Sequence, residues 1–212
     1  MRYLILTLGI LLLATPFGNA IAQAEATSPR MVKLEEAVKR GDSEALSVFW
    51  KELETNGAPL IEPGPRGGDH VLVTFVWRAD SELDNVVLVT GLEDFINIDK
   101  NQLGRLGNTN LWYKTYSAHN DIRTVYRFSP NDNLVPLTEE PDMAARIANW
   151  RRDPFNTNTF VFPAEVDGIV EKEYIRSVLE LPGAPEQVYV AARDGIPKGT
   201  LNTYRFSSTV LR

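Results

Sequence analysis

Few residues of the chain could do covalent chemistry, and none of them stands at a spacing that such chemistry needs. There is no cysteine, which removes thiol nucleophiles and disulfides. The only two histidines, His70 and His119, are far apart in sequence, so a metal site built on a histidine cluster is not expected. His119-Asn-Asp121 sets an imidazole two residues from a carboxylate, but Asn120 and Asp121 read first as turn residues. An α/β-type serine hydrolase needs a Gly-x-Ser-x-Gly elbow, and Ser207-Ser208 has no flanking glycines. Glu139, Glu140 and Asp142 gather where a helix starts, a place where acids suit the helix dipole better than a glycosidase pair. Gly64-Pro-Arg-Gly-Gly68 lacks the lysine and the following helix of a phosphate loop. The residues therefore imply no catalytic set, no metal site and no cofactor.

Composition narrows the class further. The 212 residues, 43% of them apolar, suffice for one β domain with helical additions. A net charge of −6 argues against a nucleic-acid partner, which calls for a basic face. At the N-terminus Arg2 precedes an apolar run from Leu4 to Ala14, broken by Pro16 and Gly18. Ala20-Ile-Ala22 and Ala22-Gln-Ala24 then supply two small-residue cleavage patterns. Residues 1–24 read as a secretory signal peptide cut after Ala22 or Ala24, which implies a periplasmic or secreted product. The run is shorter than the roughly 20 residues of a spanning helix, and no membrane span is expected after cleavage.

The elements that would position any site begin with two helices in a segment over 25–57. Ser28-Pro29 is a cap followed by a first-turn proline, with Met31, Leu34 and Val38 on one face. Asp42 is expected to cap a second helix, whose apolar face carries Leu46, Phe49, Trp50 and Leu53 and which stops at Asn56-Gly57. From 58 to 212 the pattern turns to strands. Val71–Arg78 is the strongest, apolar on both faces and hence central, with Val71, Val73, Phe75 and Trp77 opposite Leu72, Thr74, Val76 and Arg78. Asn85–Thr90, Phe95–Ile98, Leu111–Tyr116, Ile122–Phe128, Tyr174–Leu181, Gln187–Ala192 and Gly199–Phe206 follow at sandwich spacing. A helical insertion at about 139–152, with Met143, Ile147 and Trp150 at 0, 4 and 7, interrupts them. No βαβ alternation appears, so a parallel sheet is disfavoured.

Several runs, in order, resemble a known family. They are Phe49-Trp50, Gly57-Ala-Pro-Leu-Ile-Glu62, Val73–Arg78, Leu103-Gly-Arg-Leu-Gly-Asn-Thr-Asn-Leu-Trp112, Arg123–Phe128, Trp150-Arg151 with Asp153-Pro-Phe-Asn156, and Ser177-Val-Leu-Glu-Leu-Pro-Gly-Ala-Pro185. Together they are similar to the N-terminal domain of enterochelin (enterobactin) esterases, over roughly Phe49 to Arg212. The resemblance implies a mainly β, immunoglobulin-like (early-set) sandwich. In the family this domain precedes an α/β-hydrolase domain that cleaves ester bonds of a ferric siderophore. The sequence ends at Phe206-Ser-Ser-Thr-Val-Leu-Arg212, about where the hydrolase domain would begin, so no catalytic residue can be carried over. The signal peptide is a second departure from the family's cytoplasmic layout.

What the resemblance implies for function is an exported, non-catalytic binding or accessory module. It would recognise a ferric catecholate siderophore or another small ligand, or assist a separately encoded α/β-hydrolase. The alternatives are a secreted esterase truncated before its hydrolase domain, and a glycan-binding module. Candidate ligand residues are Arg78, Trp112, Tyr113, Arg123, Trp150 and Arg151, whose aromatic faces and cations would suit an aromatic anion. Core packing of the tryptophans and exposed placement of the arginines is the competing expectation.

Overall fold

The computed structural model describes residues 26–65, 67–164 and 173–188, with 190, 194–196, 199–200, 202, 204 and 207 beyond them. Two four-stranded antiparallel sheets face one another. The first has the order β1-β2-β5-β4, from β1 (Leu60–Pro63), β2 (His70–Arg78), β4 (Gly104–Arg105) and β5 (Leu111–His119). The second has the order β3-β6-β8-β7, from β3 (Val86–Thr90), β6 (Arg123–Pro130), β7 (Thr159–Phe162) and β8 (Tyr174–Glu180). Inward side chains of both sheets form one core: Val73, Phe75, Trp112 and Tyr116 meet Val86, Leu88, Tyr126, Phe128 and Leu179. This is a mainly β sandwich, as alternation along each strand requires.

β2 is central, and its two apolar faces have two different partners. Its inner face looks into the sandwich. Its outer face carries Val76, beside Leu111 of β5, and meets α1 (Pro29–Lys39) and α2 (Ala45–Asn56) through Met31, Leu34, Phe49, Trp50 and Leu53. Between these layers the buried Thr74 and Thr115 hydroxyls satisfy each other across the strands at 2.9 Å. Ser28 caps α1, its Oγ accepting from Met31 N at 3.1 Å, with Pro29 in the first turn. Asp42 does not occupy the cap position of α2, which falls at Glu44. Its carboxylate instead accepts from Glu44 N at 3.0 Å and Ala45 N at 3.2 Å from two residues upstream.

Elsewhere local polar groups override the apolar pattern. Phe95–Ile98 is not a strand. The Asp94 carboxylate accepts from Ile96 N (3.0 Å) and Asn97 N (2.8 Å), which bends the chain into a turn that runs into a 3₁₀ helix at Ile98–Asn101. Phe95 and Ile96 are left exposed. The insertion contains a 3₁₀ turn at Leu137–Glu139 and a helix, α3, at Met143–Asn149. The inward residue of α3 is Arg146, and Ile147 is exposed, the reverse of the apolar stripe expected there. The signal segment lies outside the described residues, and the expected strands Gln187–Ala192 and Gly199–Phe206 lie largely outside them. Gln187 and Val190 belong to a turn, with Val190 N donating to Gln187 O at 3.2 Å.

Candidate functional site

The outer face of the second sheet holds the residues best placed to bind something. Tyr126 and Phe128 of β6 point into the core, so alternation turns Val125 and Arg127 outward. The β6–β8 register runs through Val125↔Val178 and ends at Tyr126↔Ser177, next to which Arg127 and Arg176 lie near enough for their charges to interact. β7 adds Phe160 opposite Arg176 and Phe162 opposite Tyr174. The result is a ladder of alternating rings and guanidiniums. Arg127 lies 5.4 Å from the Trp150 ring and 5.0 Å from Tyr174, and Arg176 lies 5.2 Å from Tyr174 and 4.7 Å from Phe162. Phe162 stacks on Tyr174 at 4.6 Å. A cleft of about 180 Å³ opens here, lined by Thr90, Phe95, Val125, Arg127, Trp150 and Arg176.

The cleft is electrostatically incomplete. Arg127 is only 6% exposed, yet neither it nor Arg176 forms an ion pair with a carboxylate among the described residues. Arg127 Nε, Arg176 Nε, Trp150 Nε1 and Thr90 Oγ1 are buried donors without a hydrogen-bond partner among the described residues. Burial and then the neighbouring Arg176 charge push the Arg127 guanidinium below its usual pKa, with Tyr174 acting the other way. A buried cation beside a second, half-buried one is unfavourable unless an anion joins them or function requires them.

Polar latches hold the insertion, and with it Trp150, against this face. Arg151 exchanges two backbone hydrogen bonds with Phe128, at 2.8 and 2.7 Å, which fixes Trp150 beside Arg127. Arg146 donates to both oxygens of the buried Asp132, from Nε at 3.2 Å and Nη2 at 2.6 Å, and from Nη1 to Glu140 at 3.0 Å. Burial works to raise the Asp132 pKa, but hydrogen bonds from Arg146 and Ser129 hold it below the ordinary value. Behind β6, the fully buried Asp153 accepts from Tyr126 Oη at 2.7 Å and from Phe155 N at 2.9 Å. Asp153 N in turn donates to Ser177 Oγ at 2.9 Å. Burial pushes the Asp153 carboxyl up to about 6, against the pull of these hydrogen bonds.

Comparison with known proteins places this architecture. The family model described as enterochelin esterase, N-terminal, matches residues 72–190. The chain belongs to that family. An iron(III) enterobactin esterase of Yersinia enterocolitica is 32% identical over 127 residues, which cover 51% of this chain and 35% of the relative. An iron(III) salmochelin esterase of Escherichia coli is 34% identical over 71 residues, covering 33% of this chain and 17% of the relative. A solved enterobactin esterase of Shigella flexneri, with 2,3-dihydroxy-N-benzoyl-serine present, overlaps 66% of this chain and 36% of its own, with a TM-score of 0.47 at 20% identity. The chain thus spans about a third or less of the length of the relatives it matches.

Within this enterochelin esterase N-terminal domain, the six residues singled out from sequence do not converge. Arg78 pairs with Glu54 at 3.3 Å and lies 5.2 Å from the Trp50 ring. Trp112 is in the core with Arg105 over it at 5.9 Å. Arg123 is held by Glu180 at 2.6 Å and by the Pro185 carbonyl at 2.8 Å. Arg151 is exposed and donates to the carbonyls of Ala148 and Trp150. Tyr113 lines a larger cleft of about 660 Å³ between α1 and the first sheet. The cation lining that cleft is already engaged, since Lys114 binds the Lys100 carbonyl and faces Glu93. Only Trp150 lies at the cation–aromatic cleft. Arg127 and Arg176 were missed, although arginines among the apolar and aromatic residues of Ile122–Phe128 and Tyr174–Leu181 were a visible signal.

Proposed function

We propose that this domain binds an aromatic, anionic small molecule at the Arg127–Arg176 cleft, with a catecholate arm of a ferric siderophore as the ligand class. The observation that supports it most is the pair of guanidiniums between Trp150, Tyr174 and Phe162 with no carboxylate partner among the described residues. Such a ladder offers ring stacking and charge together, the combination a catecholate needs. A cleft of about 180 Å³ suits one ring and its oxygens; drug-sized sites span roughly 300–1,000 Å³. The names of the relatives, enterobactin and salmochelin esterases, supply the ligand class. The leader-like N-terminus supports export, so the reading is of a periplasmic or secreted accessory domain that hands ligand to a separately encoded hydrolase.

Titration of the purified chain with a ferric catecholate siderophore tests the reading. Tryptophan emission should fall saturably after correction for absorbance, and Arg127→Met or Arg176→Met should abolish the change. A flat titration, or quenching that survives both substitutions, would overturn it. The relatives' greater length also favours a second reading, in which this domain works only as part of an esterase. If so, activated-ester hydrolysis by the chain alone will not exceed the buffer rate, and adding it as a separate chain to a siderophore esterase will leave turnover of the ferric complex unchanged, whereas fusing it ahead of a hydrolase domain will raise it.

A further inference from the structure

At the far end of the first sheet, well away from the cleft, the chain's only two histidines meet. The β2–β5 register pairs His70 directly with His119, nine cross-strand pairs running without a break from that point to Arg78↔Leu111. The two rings lie on the same face with centroids 4.1 Å apart, tilted by 45°. Asp69 immediately precedes β2, and its carbonyl accepts from Asn120 N at 2.6 Å, which ties the loop before β2 to the residue after β5. Its carboxylate faces both rings, with Oδ1 2.8 Å from His70 Nδ1 and Oδ2 3.5 Å from His119 Nδ1.

An ordinary cross-strand aromatic pair needs no third group. Here one carboxylate is aimed at the Nδ1 atom of both rings, so three donor atoms, N, N and O, converge within 4.8 Å of one another. A tetrahedral ion with bonds of about 2.1 Å needs donor atoms roughly 3.4 Å apart, which small rotations of these partly or fully exposed side chains supply. The strands beneath them are already fixed by the sheet, so little backbone order is lost on binding.

We propose that Asp69, His70 and His119 form a binding site for a divalent first-row transition metal ion. Two imidazoles with one carboxylate select zinc-, copper- or nickel-like ions over magnesium or calcium, which favour all-oxygen shells. The exposed side of the site leaves the remaining coordination positions to water or to an incoming ligand. The ion would displace the proton that His70 Nδ1 shares with Asp69 Oδ1.

Calorimetric titration of the full chain with Zn²⁺, with Mg²⁺ as control, tests the proposal. Zinc should bind at one equivalent and be removed by a chelator, and magnesium should give no heat. Even partners that only support a ligand cost about 10–100-fold when removed, so His70→Gln and His119→Gln should each lower affinity at least about tenfold and Asp69→Asn less. The imidazole ¹H–¹⁵N signals of the unsubstituted chain provide a readout that does not depend on any variant folding. Both histidines should shift together and saturate with zinc. Absence of saturable binding at submillimolar zinc, imidazole signals that do not move, or binding that survives both histidine substitutions would overturn the site.

Discussion

The two sheets carry outer faces of opposite character. The first sheet's is covered by α1 and α2 through an apolar seam of Met31, Leu34, Phe49, Trp50, Leu53 and Val76. The second sheet's is only partly covered, by an insertion held through charge and hydrogen bonds and a small apolar cluster on Val87 and Val89, and beside it stand Arg127 and Arg176 among aromatic rings. Both coverings are helical additions to similar sheets. The difference is that the first is apolar, while the second adds to a small apolar cluster of Val87, Val89, Ile98, Leu137 and Trp150 two cations that no carboxylate among the described residues neutralises. A face that serves stability and the face proposed above to serve binding can therefore be told apart by how they respond to substitution.

Phe49→Ala should give the largest effect. Truncating a fully buried phenylalanine costs about 3–5 kcal/mol, read as a lower urea midpoint, and ferric catecholate binding by the folded fraction should be unchanged. Arg146→Met is the matching test on the other face. It strands Asp132 and Glu140 without their cation and should cost about 3 kcal/mol near neutral pH. Asp132 and Glu140 are held below their ordinary pKa, so the stability they contribute is present above about 4 and is lost as pH falls through their folded values. The Arg146→Met penalty should shrink accordingly in acid.

Asp153 acts in the opposite sense. Its folded pKa of about 6 lies above the ordinary 3.8, so its contribution is fully present below that ordinary value and is lost as pH rises through about 6. At 1.36 kcal/mol per unit, the loss between pH 4 and 7 reaches about 3 kcal/mol, and urea midpoints in Asp153→Asn should lack this slope. The smallest stability effect should come from Arg127→Met. Removing an uncompensated cation should leave stability unchanged or raise it by up to about 1 kcal/mol, the usual mark of a residue kept for function. The same substitution should abolish ligand quenching, and a marked loss of stability would instead make the ladder structural.

Periodicity revealed the elements that bury apolar faces. β2, β5, β6, β8 and the two N-terminal helices were legible because Val73, Phe75 and Tyr126, or Met31 and Leu34, recur at the period of their element. Of the edge strands β3 was legible, as Asn85–Thr90, and the shorter ones were not. β1 ends in Pro63, and β7 is four residues long, so neither carries enough alternation to stand out. Phe95–Ile98 misled because the Asp94 carboxylate, not side-chain apolarity, decides the backbone there. α3 misled because its packing residue is Arg146, which an apolar stripe cannot find. Arg127 itself was not singled out. Its meeting with Arg176, like that of His70 with His119, depends on strand register over long sequence separation, which a single sequence does not contain.

The Arg146 latch has a consequence for how the domain opens. α3 is seven residues long and is fastened by a guanidinium shared between Asp132, Glu140 and the Val135 carbonyl, while the flanking Leu137 and Trp150 pack on Val87, Val89 and Ile98, so its release exposes only that small apolar cluster. Amide hydrogen exchange in α3 should then proceed through a small local opening whose rate barely responds to denaturant. Amides of β2 and β5 should exchange only with global unfolding. Such an opening would release the Trp150 side of the ladder while the sandwich stays intact, giving the cleft a door whose latch is electrostatic.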